Sequence, residues 1–387
     1  LHAHPTESQT HFLLGAWLNI ADKLGDVAMG QEVGAAVKAW LAVFARYPVA
    51  GYVTVAWLNA SQVPALVKDA VSHWLTMEKN RIAPEAHFVV KAWLDAKQDA
   101  GVVKDALIAW LAVEQNCIAS GADFVFKAWL NAKQSHALIE PHVLAWLAHA
   151  NNAINLNAHF LYRAWGNQFN RLDDFMFGNT CRWIQAHSNH PDAAFAMRWV
   201  IADRRLDKLT TTAIIDWLTN FPTHEDAPGR LSRLHIKVLS HCPNEVLTTL
   251  YATVLANYIK SANHFGEFDV KTACFLFFNA VRIAKRPTLH PPSRVPLARL
   301  FCQFLRQLST TQIQHIKTII INLVGGALPG LIRLGLQHGE TFDAPLANAT
   351  RQLMQAYASL GELGASDATL LRQIVEKQPG RERGGDG

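Results

Sequence analysis

The sequence predicts an all-α chain built as an α-solenoid of stacked antiparallel helical hairpins, and three observations predict it. All twelve tryptophans, at 17, 40, 57, 74, 93, 110, 129, 146, 165, 183, 199 and 217, fall in the first 217 of 387 residues, at gaps of 16 to 23 that pair into units of about 36. Apolar residues around them recur at helical spacing. In HFVVKAWLDAKQ, Phe88, Val89, Ala92, Trp93 and Ala96 form one stripe while Lys91, Asp95 and Gln98 occupy the other face. Period-two alternation, the mark of strands, is missing. A hairpin of this length cannot bury its apolar face alone, so neighbours must stack.

The unit is most regular from Tyr52 to Asn170, where YVTVAWLNASQ, HFVVKAWLDAKQ, DFVFKAWLNAKQ and HFLYRAWGNQF place tryptophans at 57, 93, 129 and 165. These runs are the first helix of each unit, helix A. The second, helix B, is read from VKDAVSHWLTMEKN, VKDALIAWLAVEQN and IEPHVLAWLAHANN. Linkers recur as well, with Ile82, Ile118 and Ile154, and Ala86, Ala122 and Ala158, each 36 apart. Pro84 suits a first helical turn, Ser120 with Asp123 suggests a capping box, and Asp99-Ala-Gly101 breaks helix A from helix B. A large ring on an apolar stripe belongs in the core, so the tryptophans are expected to wedge helix against helix.

Beyond Trp217 the pattern decays, yet Arg230–Ser240, Glu245–Lys260, Asp269–Lys285, Arg294–Ser309 and Thr311–Val324 still read as helices, separated by turn signals such as Cys242-Pro243 and His290-Pro291-Pro292. A last pair, Ala344–Leu360 and Asp367–Lys377, is expected to cap the array, and the tail QPGRERGGDG is too polar and Gly-rich to fold. The expected organisation is a regular array over 1–240, divergent repeats with a cap over 241–376, and a disordered tail over 377–387.

Composition bounds the function classes. With 50% hydrophobic and 17% charged residues the chain can bury a substantial core. A net charge of +5 does not by itself imply a nucleic-acid partner, but the first 150 residues carry 11 Lys and Arg against 13 Asp and Glu, so all the excess positive charge lies beyond them. Cys117, Cys181, Cys242, Cys274 and Cys302 are widely spaced and include no C-x-x-C pair, which disfavours a disulfide scaffold or a structural zinc site. Cys117 aligns with Arg81 and Ala153 and reads as an incidental loop residue. The longest apolar stretch, Thr318 to Ile332, is interrupted by Asn322, Gly325, Gly326, Pro329 and Gly330, is shorter than the roughly 20 residues a membrane span needs, and reads as two buried helix segments with a turn. LHAHPTESQT carries no secretory signal, so a cytoplasmic protein with no membrane partner is expected. The chain lacks an initiator Met, and a further domain ahead of Leu1 is an open expectation.

Residues that repeat although a core does not require them point to function. Two positions after each helix-A tryptophan come Asn19, Asn59, Asp95, Asn131 and Asn167, whereas helix B has Ala42, Thr76, Ala112 and Ala148. Five positions after come Asp22, Gln62, Gln98, Gln134 and Asn170; two before come Gly15, Val55, Lys91, Lys127 and Arg163. These offsets share one helical face, and stacking would set them in rows of amides edged with positive charge. Such a ribbon can read a peptide backbone or the base edges of single-stranded nucleic acid. A structural ladder tying hairpin to hairpin and a solvated face are the alternatives.

The Trp and Asx rows on one helix of each unit resemble those of armadillo and HEAT-type arrays, in which such a row binds extended peptides. The hairpin is also similar in size to tetratricopeptide, pentatricopeptide and Pumilio-type units. The tetratricopeptide W-x-x-L-G-x-x-Y run is missing, armadillo units normally carry three helices, and the Pumilio side-chain triplets are not evident. The resemblance covers about 210 residues and specifies a helical-repeat superfamily rather than one family. By analogy it implies a sensor segment, since long arrays of this kind form the sensor half of bacterial signal-transduction ATPases; no motif of that ATPase occurs here.

Motifs for chemistry are sparse. Neither G-x-x-x-x-G-K-[ST], G-x-G-x-x-G nor H-E-x-x-H occurs, so no cofactor is expected. Cys181, His187 and His190 are the best metal candidates, but closed zinc sites favour shorter paired spacings. His11, His87 and His159 recur six residues before their tryptophans, alongside Asp123, as a helix N-terminal polar position. His224-Glu225-Asp226 reads as a loop with no nucleophile tied to it. From Arg282 to Gly339 there are eight basic residues and no acidic one, which nominates Arg282, Lys285, Arg286, Arg294, Arg299 and Arg306 as an anion-binding block. The leading expectation is a non-catalytic scaffold or sensor segment that recognises a protein or extended peptide through Lys91, Asp95, Gln98, Lys127, Asn131, Gln134, Arg163 and Asn167. A nucleic-acid binder using the basic block is the alternative, and a HEAT-like DNA glycosylase is the second, with Asp203 beside Arg204 and Arg205 as its faint pointer.

Overall fold

The computed structural model describes residues 7–201, 205–234, 237–261, 267–284, 294–324, 328–359 and 365–376. Among them every regular element is a helix and no strand occurs, as the periodicity requires. The chain divides into two compact units, Leu1–Ala186 and His187–Gly387, so the break falls well before the change in sequence regularity near residue 240.

In the first unit the A-helices are Thr10–Leu24, Ala50–Asn59, Ala86–Asp95, Ala122–Asn131 and Ala158–Phe169, and each packs on the next in chain order. The B-helices are Gly34–Phe44, Lys68–Thr76, Gly101–Leu111, Glu140–Ala148 and Asp174–Ala186. Three of them are followed by a one-turn helix, Glu78–Arg81, Glu114–Cys117 or Ala150–Ala153, which packs on the B-helix after it. Cys117 therefore lies in a buried helical turn, with its Sγ 3.4 Å from His142 Nδ1, and not in an exposed loop.

Ten of the twelve tryptophans are buried, which makes them the core of this array; Trp17 is 37% exposed and Trp199 is half-buried. Burying an indole leaves its N–H in need of an acceptor, and the two helix types solve this differently. Trp57, Trp93 and Trp129 donate to the carbonyl six residues later, at Val63, Asp99 and Ser135, closing their own A–B loops. Trp74, Trp110, Trp146 and Trp183 instead donate 26 to 28 residues back, to Pro48, Ala83, Ala119 and Asn155, pinning each B-helix to the loop that opens its unit.

The A-helices end in a repeated left-handed turn. Ser61, Lys97 and Lys133 have φ of 56–57°, and the amides of Gln62, Gln98 and Gln134 bond back to Trp57, Trp93 and Trp129. This is the Schellman arrangement, in which glycine is usual because a Cβ is disfavoured at positive φ; the first A-helix does use Gly25 there, at φ 64°. Gly101 N then bonds Asp99 Oδ1, so Asp99-Ala-Gly101 breaks the helices as expected. The capping box does not form. Gly121 is the N-cap of the third regular A-helix, no side chain caps it, and Asp123 is buried.

The second unit keeps the alternation with helices of 7 to 18 residues. Ala193–Val200, Ala227–Arg233, Glu267–Ala284, Thr310–Val324 and Ala344–Ala358 pack in one succession, and Asn244–Ser261, Val295–Gln307, Leu328–Gln337 and Ala365–Glu376 in a second. The expected helix Arg230–Ser240 ends at Arg233, because Leu234 turns to extended backbone at ψ 119°. The apolar stretch from Thr318 resolves into two helices as read, with its turn at 325–327 outside the described residues. The tail 377–387 also lies outside them. No described helix is long and apolar enough to cross a membrane.

Candidate functional site

The residues that repeat on the outer face of the A-helices form the candidate site. Counting from the A-helix tryptophan, position +2 is exposed in every unit: Asn19, Asn59, Asp95, Asn131 and Asn167. A ladder between hairpins is therefore not their role. That role belongs to a column the sequence reading passed over, Asn80, Asn116 and Asn152, in the one-turn helices. Each is buried, and its Nδ2 donates to the carbonyl 34 residues back, at Arg46, Ile82 and Ile118, and to Trp74, Trp110 and Trp146 within its own unit. The 36-residue spacing was a visible signal; the short helices carrying these residues were not.

Position +5 serves the helix end. Gln98 Nε2 donates to Ala96 O at 2.8 Å and Gln134 Nε2 to Ala132 O at 3.0 Å, closing the Schellman turn from the side-chain side. Gln62 does the same and reaches Val27 O as well. Both Gln98 and Gln134, named for partner contact, are thus half-buried with their amide nitrogens already engaged.

Position −2 supplies charge. Lys91 Nζ pairs with Asp95 Oδ2 at 2.7 Å within one helix, while Lys127 Nζ lies 4.3 Å from the centre of the Phe160 ring on the next A-helix, a cation–π contact. Partial burial, and then the neighbouring Lys91 and Arg163 cations, push the Lys127 ammonium below its ordinary range against the pull of Asp95 and Asp123. Lys91, Asp95, Lys127 and Arg163 therefore share one electrostatic neighbourhood across three consecutive A-helices.

Position −5 holds an aromatic row, Phe12, Tyr52, Phe88, Phe124 and Phe160, of which Phe88 is expected in the core from its place in the apolar stripe. Phe12, Tyr52 and Phe88 are exposed and the other two half-buried. Phe88 leaves the core because Val89, Ala92 and Trp93 already fill the buried arc. Offsets −5, −2 and +2 lie about one turn apart on one face, so Ala86–Asp95, Ala122–Asn131 and Ala158–Phe169 each present a ring, then a cation, then an amide or carboxylate.

The basic block divides. Arg306 Nη1 pairs with Glu340, its Nε lies 3.0 Å from Asp343 Oδ2, and Arg299 Nε lies 3.3 Å from Glu340 Oε1. Burial alone would raise the Glu340 carboxyl, but the Arg306 and Arg299 contacts hold it below the ordinary carboxylate range. Two of the nominated cations are thus neutralised by acids that begin at residue 340, one position past the end of the one-signed stretch. Arg282 is exposed, its guanidinium 5.2 Å from the Phe278 ring centre, and Arg294 is half-buried at a helix N-cap. Lys285 and Arg286 lie outside the described residues, as do Asp203 and Arg204.

Among the described residues no cluster of three or more His, Cys, Asp or Glu could hold a metal. His224 Nδ1 accepts from the Asp226 amide and Asp226 pairs with Arg230, which ties the His224-Glu225-Asp226 run into its turn. The Cys274 and Cys302 thiols are pushed up to about 12 by burial, which makes them poor nucleophiles. No protein-family model matches the chain, and neither a curated protein nor a solved structure aligns with it.

Proposed function

We propose that the chain is a non-catalytic recognition scaffold whose first unit binds an extended peptide segment of a protein partner along the A-helix face. The observation that carries this reading is the repeated ring, cation and amide or carboxylate at −5, −2 and +2 on Ala86–Asp95, Ala122–Asn131 and Ala158–Phe169. An exposed aromatic row is expensive to maintain in water and is a compositional mark of recognition surfaces. Lys91, Lys127 and Arg163 supply charge, Asn131 and Asn167 supply amides that both donate and accept, and the rings supply contact area. The in-order packing of A-helices supports an α-solenoid as the framework, which sets such rows in register. A role as the sensor segment of a larger protein follows the same logic. None of the five cysteines forms a disulfide, which supports a reducing, cytoplasmic setting.

The test is a peptide-library selection on the immobilised full chain, followed by affinity measurement with the Asn131→Ala/Arg163→Ala double variant. Both positions are exposed, so the melting temperature stays unchanged while selected peptides bind at least about tenfold more weakly. Equal affinity for the double variant would overturn the reading. The half-buried Phe124 and Phe160 rings beside Lys127 and Arg163 also favour a second reading, stacking of single-stranded nucleic acid. That reading requires affinity for an oligonucleotide that falls steeply with salt, and no retention at low salt removes it.

A further inference from the structure

One slot between A-helices lacks the side chain that its counterparts, three histidines and Asp123, carry. In three units a histidine six residues before the A-helix tryptophan sets its imidazole beside the B-helix indole, with centroid separations of 5.8 Å for His11–Trp40, 5.6 Å for His87–Trp110 and 5.4 Å for His159–Trp183. The corresponding position between helices Ala50–Asn59 and Ala86–Asp95 is Gly51. Trp74 moves into the vacated room: a Cβ added at Gly51 would lie 2.9 Å from Trp74 Cζ2. Its Nε1 donates to Pro48 O, one position later in the repeat than the carbonyls of Ala83 and Ala119 that serve Trp110 and Trp146. The same unit has Val55 where the three units after it carry Lys91, Lys127 and Arg163.

Where these two departures coincide a cavity of about 400 Å³ opens, with Tyr52, Val55, Trp74, Asn80, Phe88 and Val89 on its walls. This volume falls within the range of about 300–1,000 Å³ typical of small-ligand sites. Two rings of the aromatic row, Tyr52 at 62% and Phe88 at 46% exposure, stand at the cavity. Asn80 is 1% exposed and spends its Nδ2 on Arg46 O and Trp74 O, but its buried Oδ1 accepts no hydrogen bond.

We propose that this cavity is a socket for one indole or phenol side chain, a Trp or Tyr, of the peptide that crosses the A-helix face; the proposal rests on the peptide-binding reading above. The chain itself indicates the occupant. Three of its four other units place a flat ring against the B-helix indole, and ring pairs at such separations are favourable beyond the area they bury. Val55 leaves out the ammonium or guanidinium that the three following units carry at −2, so of the residues lining the cavity only Lys79 and Glu85 are charged. Asn80 Oδ1 is an unused acceptor whose cost is relieved only by a donor, which an indole N–H or phenol O–H brings and an aliphatic side chain lacks.

The experiment titrates the full chain with Ac-Ala-Ala-Trp-Ala-Ala-NH2 and with its Tyr and Leu counterparts, by calorimetry. The Trp and Tyr peptides bind saturably and at least about tenfold more tightly than the Leu peptide. Val55→Lys writes in the residue found in the next two units, keeps the melting temperature, and weakens the Trp peptide at least about tenfold. Gly51→His is the stronger block but must displace Trp74, so Val55→Lys carries the test. Equal binding of the Leu and Trp peptides, unchanged Trp-peptide affinity in Val55→Lys, or no saturation by the Trp and Tyr peptides at millimolar concentration would each overturn the socket. Failure here is separable from failure of the wider reading. Library peptides weakened by Asn131→Ala/Arg163→Ala but indifferent to Val55→Lys leave the ribbon and remove the socket, whereas pentapeptides sensitive only to Val55→Lys leave the socket without the ribbon.

Discussion

Residues 1–186 and 187–387 are both helical, yet they tie helix to helix by different chemistry. In the first, the recurrent link is neutral and aimed at main chain: an indole N–H to a loop carbonyl, and an asparagine Nδ2 to the carbonyl 34 residues back. In the second, the indole link survives once, from Trp217 to His190 O, and Arg230 Nε then reaches Ala194 O, 36 residues back. Beyond these the contacts become individual: the Phe277, Phe301 and Phe304 ring cluster, and the Arg299 and Arg306 pairs with Glu340 and Asp343. A device can be copied only while the geometry that holds it is copied. Once helices lengthen to 18 residues, as Asn244–Ser261 and Glu267–Ala284 do, the register of donor and carbonyl is lost and each contact is solved locally.

The contrast can be broken hardest at an indole. Trp110→Ala removes a buried ring together with its bond to Ala83 O, and should lower the stability of the first unit by about 3–5 kcal/mol in urea unfolding. Next comes Asp123, the one acid in the histidine column. Burial raises its carboxyl to about 6, against partial relief from backbone hydrogen bonds and Lys127. The folded state therefore holds the proton more tightly than the unfolded chain. The contribution of this group to stability is greatest below pH 4 and is lost as pH rises from about 4 to 6, by roughly 3 kcal/mol in total. Asp123→Asn should abolish that fall, read as urea midpoints at pH 4 and pH 7.5 that no longer differ through this group. Asn116→Ala cuts the link to the preceding unit and takes the Nδ2 donor from Ile82 O, while Trp110 O keeps the Val113 amide, at a cost of about 2 kcal/mol by the same unfolding measurement. The smallest effect is a gain. Lys97→Gly relieves a Cβ at φ 57° and should raise stability by about 1 kcal/mol, which thermal unfolding resolves; no gain would mean that the Lys97 side chain contributes to the turn.

Much of this was legible in the residues. Tryptophan spacing located the A- and B-helices, and the conjunction of Lys91, Asp95, Lys127, Asn131, Arg163 and Asn167 on one exposed face follows from helical offsets alone. Gln98 and Gln134 were misread because their offset is right for that face, but the helix has already ended and its C-terminal carbonyls take the amides. Phe88 was misread because a helix next to a tryptophan has more apolar positions than its buried arc can hold. Arg299 and Arg306 were misread because a charge count along the chain does not see an acid that returns in space from a later segment.

The sequence by itself determined that the chain is helical, that its units are about 36 residues long and that a polar row lines one face, because these depend on periodicity, which is a property of neighbours along the chain. Only the tertiary structure decided which repeated asparagine carries the links between units, which cations are already paired, and that Gly51 and Val55 open a cavity beside Trp74. Each of those outcomes depends on which groups meet across a packed interface, and burial rather than spacing sets what a donor, a charge or an empty space there costs.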